Sequence, residues 1–290
     1  MAKTLQVYNR IQLLRERYHK ASKNKKTLLK LISETEVSEQ VYNSNAIENS
    51  TLTLEDTEKI LLQIDLDRFI SERELFETKN LARVVSYIET KAKERVLDFK
   101  MILLLHKMLL SNIRDEIAGR FRNLEEWVKV GNRIAIDPKN IEEELENMLI
   151  NYQISNRDNI IKRIAKLHLT FENIHPFVDG NGRIGRIVNN YCLLRENYVP
   201  INIKFIDRQQ YYNAFSTFNL NGKTLIMEEI IGKALTNSYH KRLAYLEGKK
   251  IVSLNEYSKI NKISHSNLIN KAKRQTIEAF LEKGIWKIGV

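Results

Sequence analysis

His175-Pro176-Phe177-Val178-Asp179-Gly180-Asn181-Gly182-Arg183-Ile184-Gly185-Arg186 is the stretch from which the rest of this 290-residue chain can be read. Pro176 has no amide hydrogen and restricts the residue before it, so the apolar helical pattern leading into His175 must end there. Gly180 and Gly182 permit a tight turn at positive φ that leaves backbone amides free to wrap an anion. Past the turn, Ile184, Ile187, Val188, Tyr191 and Leu194 recur at helical spacing. The loop therefore runs into a helix N-terminus, where unpaired amides and the helix dipole favour phosphate. Arg183 and Arg186 stand in the first turn on one face, pointing toward the same ligand. Two cations there oppose the dipole, a conflict that an anionic ligand removes. The residues describe a polyphosphate site, with His175 as candidate base and Asp179 as candidate metal ligand.

Each piece alone is ordinary. A histidine before a proline usually caps or packs, Asp-Gly usually turns, and paired arginines usually face solvent. Their joint occurrence at fixed spacing is what carries weight, and the helical context sets them apart from strand-preceded P-loop and dinucleotide fingerprints.

These twelve residues match every specified position of the Fic motif, H-x-F-x-[DE]-G-N-G-R-x-x-R, and the chain resembles the Fic family there. The resemblance implies an all-α fold, a helical Fic bundle with a β-hairpin flap, and an activity that most members share: moving AMP from ATP to a protein hydroxyl. In that chemistry His175 takes the proton of an incoming Ser, Thr or Tyr hydroxyl. The Gly180 and Gly182 amides, with Asn181, hold the α- and β-phosphates, while Arg183 and Arg186 clamp the outer ones, a task suited to forked guanidinium groups. Asp179 suffices for Mg²⁺, which takes most of its ligands from phosphates and water. Phosphate-transferring relatives usually depart from Gly-Asn-Gly-Arg, which this chain retains, so ATP is the expected donor. The alternatives are transfer of another phosphate-containing group by the same fold, or a DNA-binding regulator that senses ATP. Sensing needs neither base nor metal, and the intact His175 and Asp179 argue against it.

Ser44-Asn45-Ala46-Ile47-Glu48-Asn49 matches the pattern [ST]-x-x-x-E-[GN] of autoinhibited family members, N-terminal to the core. It implies that Ser44 and Glu48 belong to an inhibitory helix whose carboxylate pairs with Arg186 and denies it to the γ-phosphate. Without such a family context Glu48 is a solvated helix-end charge. In some relatives this glutamate also serves AMP removal, so a reverse reaction comes with the resemblance. A built-in inhibitory segment also argues against a stand-alone toxin.

Composition agrees with a soluble helical protein. Three prolines and ten glycines interrupt few segments, and 43% hydrophobic residues supply a core. The single cysteine, Cys192, excludes an internal disulfide, suits a reducing compartment and falls on the core side of the motif helix. The N-terminus lacks an apolar signal region, and the longest apolar run, residues 101–105, is far too short for a membrane span. A cytoplasmic protein without membrane contact is expected.

Along the chain, residues 4–33 carry helical spacing, and a short helix is predicted over about 36–48. Thr53, Ser71 and Asp98 then open three further helices, Ser71 with a capping box. Residues 127–130 and 133–136 alternate around Gly131-Asn132, a two-residue hairpin. Such a lone hairpin exposes an unpaired edge, which the resemblance turns to use as a flap that holds the target by strand addition, with Ile134 or Ile136 touching it. Helices are predicted over 139–151 and 157–172, with His168 making a core hydrogen bond. Asp207 caps a segment rich in tyrosine and phenylalanine, and a long helix covers 223–246.

Net charge is +11, and residues 249–290 hold nine Lys or Arg against three Glu. Helical patterns over 254–260 and 264–273, then apolar runs either side of Gly284, resemble a small winged helix-turn-helix. Ser264 would cap its recognition helix and DNA would be its partner; the bland reading is a basic packing module. The expected organisation is an N-terminal helical region over 1–95, a catalytic core over 96–248 and this module over 249–290. The expected partners are a target protein, which includes the chain itself, DNA, and a second copy of the chain.

Overall fold

A computed structural model of the protein describes residues 2–66, 68–156 and 158–290. Met1, Asp67 and Arg157, which fall within the expected N-terminal region and core, lie outside the described residues. Helix α1 (Ala2–Ser22) and helix α2 (Lys26–Ile47) come first. Thr53 and Ser71 then start α3 (Leu54–Leu62) and α4 (Glu72–Lys91) with reciprocal capping boxes to Asp56 and Glu74. The side chains of Asp98 and Asn159 accept the Met101 and Lys162 amides at the starts of α5 (Phe99–Leu110) and α7 (Ile160–Ile174), with α6 (Ile141–Ile154) between them. Each such cap contributes about 1 kcal/mol. Helices α8 (Asn181–Arg195), α9 (Arg208–Asn221) and α10 (Leu225–Leu246) complete the bundle.

The motif helix α8 lies at the centre. Its residues are buried almost without a break from Arg183 to Leu193, because it packs against α7, α4, α5 and α2 together. One hydrophobic core joins Ile11 of α1, Val41 and Ile47 of α2, Leu81 of α4, Leu105 of α5, Phe171 of α7 and Tyr239 of α10. Residues from 1–95 and 96–248 thus share a single core. Cys192 is buried in it, as its position on the helix implied. No helix among the described residues is long and apolar enough to cross a membrane.

Three local expectations are corrected. The break expected between residues 33 and 36 falls instead at 23–25, where Asn24 adopts φ 62°, and α2 runs on unbroken to the segment holding Ser44 and Glu48. Asp207 precedes α9 without its side chain capping the helix. A strand unseen in the sequence, β3 (Ile251–Ser253), opens the C-terminal module, because three residues are too few to show an alternation.

The expected hairpin is present as β1 (Lys129–Val130) and β2 (Arg133–Ile134), paired antiparallel with Val130 opposite Arg133. In the C-terminal module, α11 (Leu254–Asn261) and α12 (His265–Lys273) lead to β4 (Ala279–Glu282) and β5 (Ile285–Gly289), and the sheet order is β3-β5-β4. Ser264 caps α12 through the Asn267 amide. Leu254, Leu268, Ala272 and Ala279 form a separate small core. The module leans on the bundle through buried charges. Lys241 of α10 bridges Glu36 of α2 (3.5 Å) and Glu282 of β4 (2.6 Å), while Glu39 of α2 takes Lys204 (2.6 Å) and the Lys283 amide (2.8 Å).

Candidate active site

The loop between α7 and α8 is held from four sides. Helix α7 ends at His175, whose φ of 52° turns the chain out of the helix before Pro176. Arg122 spans the turn: its amide donates to the Pro176 carbonyl (2.9 Å) and its Nε to that of His175 (2.9 Å). Its other nitrogens reach the carbonyls of Glu126 (2.9 Å) and Ile136 (3.0 Å), so one buried guanidinium joins the loop to both feet of the hairpin. His106 of α5 stacks on Phe177 with ring centroids 3.7 Å apart. Its Nδ1 accepts the Gly119 amide (3.0 Å), which leaves Nε2 to donate to the Asp179 carbonyl (3.0 Å). Burial lowers the pKa of His106 to about 4, so this neutral tautomer is the stable one. Asn181 closes the loop, accepting the Phe177 amide (2.9 Å) and donating to its carbonyl (2.8 Å). Its side chain therefore shapes the bend, where a phosphate contact was expected. Gly180 starts α8 at φ 82°, a conformation that a side chain would strain.

The N-terminus of α8 already holds an anion. Arg186 donates from Nε to Ser44 Oγ (2.9 Å), from Nη2 to the Ser44 carbonyl (2.8 Å) and Glu48 Oε1 (2.9 Å), and from Nη1 to Tyr211 Oη (3.1 Å). A Cβ on Gly182 would fall 2.2 Å from Glu48 Oε1, so that carboxylate rests directly on the helix's first turn. Burial works against the charge on Arg186, but Tyr211 and Glu48 outweigh it and hold the guanidinium protonated. The glutamate and arginine meet as the sequence pattern implied.

Arg183 has other partners. Its Nη1 pairs with Glu77 of α4 (3.1 Å) and its Nη2 with Asp179 Oδ1 (3.2 Å), while Asp179 Oδ2 takes Arg73 (2.9 Å). The two motif arginines, expected to point at one ligand, are here engaged separately, because α4 supplies carboxylate and guanidinium groups that the motif alone does not disclose. Burial raises the pKa of Asp179, but Arg183 and Arg73 prevail and keep it below the ordinary carboxylate value. No group of three or more His, Cys, Asp or Glu among the described residues could hold a metal. A lone ionised carboxylate does fit Mg²⁺ that arrives with a triphosphate and its waters.

His175 sits at the edge of this arrangement, its side chain 18% exposed and its Nδ1 3.8 Å from Glu172 Oε2. Burial lowers its pKa to about 4, so the ring is neutral near pH 7 and able to take a proton. In the hairpin Ile134 is exposed, whereas Ile136 is half-buried and packs on the main core, which leaves Ile134 as the outward-facing candidate of the two. Arg133 ties the hairpin to the end of α7 through the Asn173 carbonyl (3.1 Å). His168 makes the core hydrogen bond expected of it, to Tyr211 Oη (2.7 Å).

His106, Arg122, Tyr211, Glu77 and Arg73 escaped sequence reasoning, since nothing local marks a residue that acts from another helix. Gly185 left a signal. A glycine inside a helix costs about 1 kcal/mol, which hints at a close approach. Here a Cβ would meet Glu172 Oε1 at 2.6 Å.

Residues 96–193 match the model of the Fic/DOC family. A protein adenylyltransferase Fic from Nematostella vectensis is 30% identical over 186 residues, which is 62% of this chain and 43% of that protein. One of the same name from Drosophila mojavensis is 30% identical over 226 residues, 72% of this chain and 44% of that protein. The chain thus spans less than half the length of these relatives. A Fic domain containing signaling protein from Bacteroides thetaiotaomicron shares the fold, with a TM-score of 0.74 at 23% identity over 83% of this chain and 97% of its own.

Proposed function

We propose that this chain, whose residues 96–193 match the Fic/DOC family, is a protein adenylyltransferase whose resting state is closed by Glu48. The reading rests on one observation: a carboxylate lies on the first turn of α8 against Arg186, where an anion is wanted. ATP takes this place in the active state, its outer phosphates on Arg186 and Arg183 and its inner ones on the amides around Gly182. Bound with the nucleotide at Asp179, Mg²⁺ would supply neutralisation of the triphosphate charge. A Ser, Thr or Tyr hydroxyl of the target gives its proton to His175 while its oxygen attacks the α-phosphorus. The bond from that phosphorus to the bridging oxygen of the β-phosphate breaks, AMP stays on the target and pyrophosphate leaves. Positioning and fixed charge do most of the work. The exposed Ile134 edge of the hairpin receives the target segment.

With Glu48 in place Arg186 is occupied, so ATP binds with its α-phosphate out of line. Incubating the Glu48→Gly variant with ATP labelled at the α-phosphate and with Mg²⁺ tests the reading. Label on the protein, abolished by His175→Ala, supports it; an unlabelled variant that still binds ATP would leave a nucleotide sensor instead.

A second, compatible role for residues 249–290 is DNA contact. Lys259, Lys262, Lys271, Lys273 and Arg274 on and beside α11 and α12 are exposed, with no ion-pair partner among the described residues. That leaves them free to displace counterions from a duplex.

A further inference from the structure

The motif helix makes room at Gly185 for a group the proposed reaction has not used. Glu172 of α7 is buried, 9% exposed, and its Oε1 has no hydrogen-bond partner among the described residues. Two imidazole nitrogens in the same buried condition flank it, His168 Nδ1 and His175 Nδ1. Glu172 Oε1 and His168 Nδ1 both lie within 3.2 Å of the point that a Cβ on Gly185 would occupy, and Glu172 Oε2 lies 3.8 Å from His175 Nδ1.

The partners beyond them fix the proton positions. Arg186 can only donate to Tyr211 Oη, so the Tyr211 hydroxyl proton goes to His168 Nε2. Neutral His168 then carries its proton on Nδ1, on the side where Glu172 sits. One buried line of polar groups therefore runs from Arg186 through Tyr211, His168 and Glu172 to His175.

We propose that Glu172 is the positioning residue of the catalytic base: it accepts the Nδ1 proton of His175, so that Nε2 presents its lone pair, and it stabilises the imidazolium formed when the target hydroxyl gives up its proton. The inference rests on His175 acting as base in AMP transfer. A separation of 3.8 Å is too long for a hydrogen bond, but catalytic contacts without substrate are often loose and tighten when the complex forms. The charged and titratable groups facing Glu172 are Glu48, Arg186 and Arg133, with His168 and His175 at its sides. Burial first, and then the Glu48 carboxylate, raise its pKa to about 8, so Glu172 accepts best once it ionises on the alkaline side. The rival partner for Nδ1 is the backbone carbonyl of Glu172, which also favours the charged ring.

The test compares Glu48→Gly with Glu48→Gly/Glu172→Gln in AMP transfer between pH 5 and 9. The isosteric amide is expected to lower kcat at least tenfold with the KM for ATP within about twofold. It should also abolish the rise in kcat that the parent shows as Glu172 ionises on the alkaline side, because an amide does not titrate. An unchanged kcat and an unchanged alkaline profile would assign Nδ1 to the backbone carbonyl and overturn the proposal. An inactive Glu48→Gly parent would instead count against the transferase reading. The Glu172–His175 contact is then read from ¹⁵N spectra of the unsubstituted protein, with His175 assigned by its loss in His175→Ala. A His175 resonance that carries its proton on Nδ1 and shows a second inflection as Glu172 titrates supports the contact; a single inflection rejects it.

Discussion

The carboxylate of Glu48 and the guanidinium of Arg186 meet at 2.9 Å over the first turn of α8, at the point where Gly182 has no side chain. The two residues are 138 positions apart and come together because α2 packs beside α8 and ends with its last turn at the mouth of the site. A helix N-terminus carrying arginine is unfavourable on its own, and the glutamate settles that charge internally.

Ser44 shares in holding Arg186, accepting from Nε at 2.9 Å. Ser44→Ala removes one charge-assisted hydrogen bond, about 1.5 kcal/mol. Basal self-modification should rise by roughly tenfold, since 1.4 kcal/mol is a factor of ten. A basal rate equal to that of the unsubstituted protein would reduce Ser44 to a space-filler.

Gly185→Ala gains about 1 kcal/mol of helix propensity, yet its Cβ lands 2.6 Å from Glu172 Oε1. Overpacking of this kind costs about 1–3 kcal/mol, so the net effect should be a lower urea midpoint. A raised midpoint would mean that α7 and α8 separate easily.

Stability should peak near pH 6.5. Burial holds His106 and His175 at about 4 and His168 at about 3, below the unfolded value near 6.5. Between those limits the unfolded chain takes protons that the folded chain refuses, so stability falls as pH drops through this window. Glu172, raised to about 8, works in the opposite sense: its contribution is present below pH 4.5 and is lost as pH rises to 8. Three histidines outweigh one glutamate on the acid side, and above pH 6.5 the glutamate acts against them no longer but alone. Urea midpoints at pH 5, 6.5 and 8.5 check this, and Glu172→Gln should flatten the alkaline fall. A midpoint still climbing from 6.5 to 8.5 would show that Glu172 ionises freely.

Should the C-terminal module bind DNA, Lys271→Glu with Lys273→Glu ought to weaken duplex binding at low salt and make the slope of log affinity against log salt shallower by about 2. Fluorescence anisotropy with a labelled duplex reads both. Equal affinity and slope for the two proteins would return α12 to a packing role.

How much of this was legible in the sequence differs from feature to feature. The bend at Gly180, the helix after it and the caps at Thr53, Ser71 and Asp98 were readable because their causes are local. The pairing of Glu48 with Arg186 was readable only through a pattern, since spacing cannot join residues so far apart. The separation of Arg183 from Arg186 was not readable: it depends on Glu77 and Arg73, whose helix reaches the site only after folding. Asn181 looked like a ligand for phosphate because nothing in the sequence shows that Phe177 claims both ends of its amide.

The most direct measurement is the transfer of α-phosphate label from ATP to the protein by the unsubstituted chain, Glu48→Gly, and Glu48→Gly/His175→Ala side by side. Labelling that is faint in the first, at least tenfold stronger in the second and absent in the third is expected. Equal labelling of the first two would contradict the claim that Glu48 closes the anion site, and full labelling of the third would contradict the claim that His175 drives the attack.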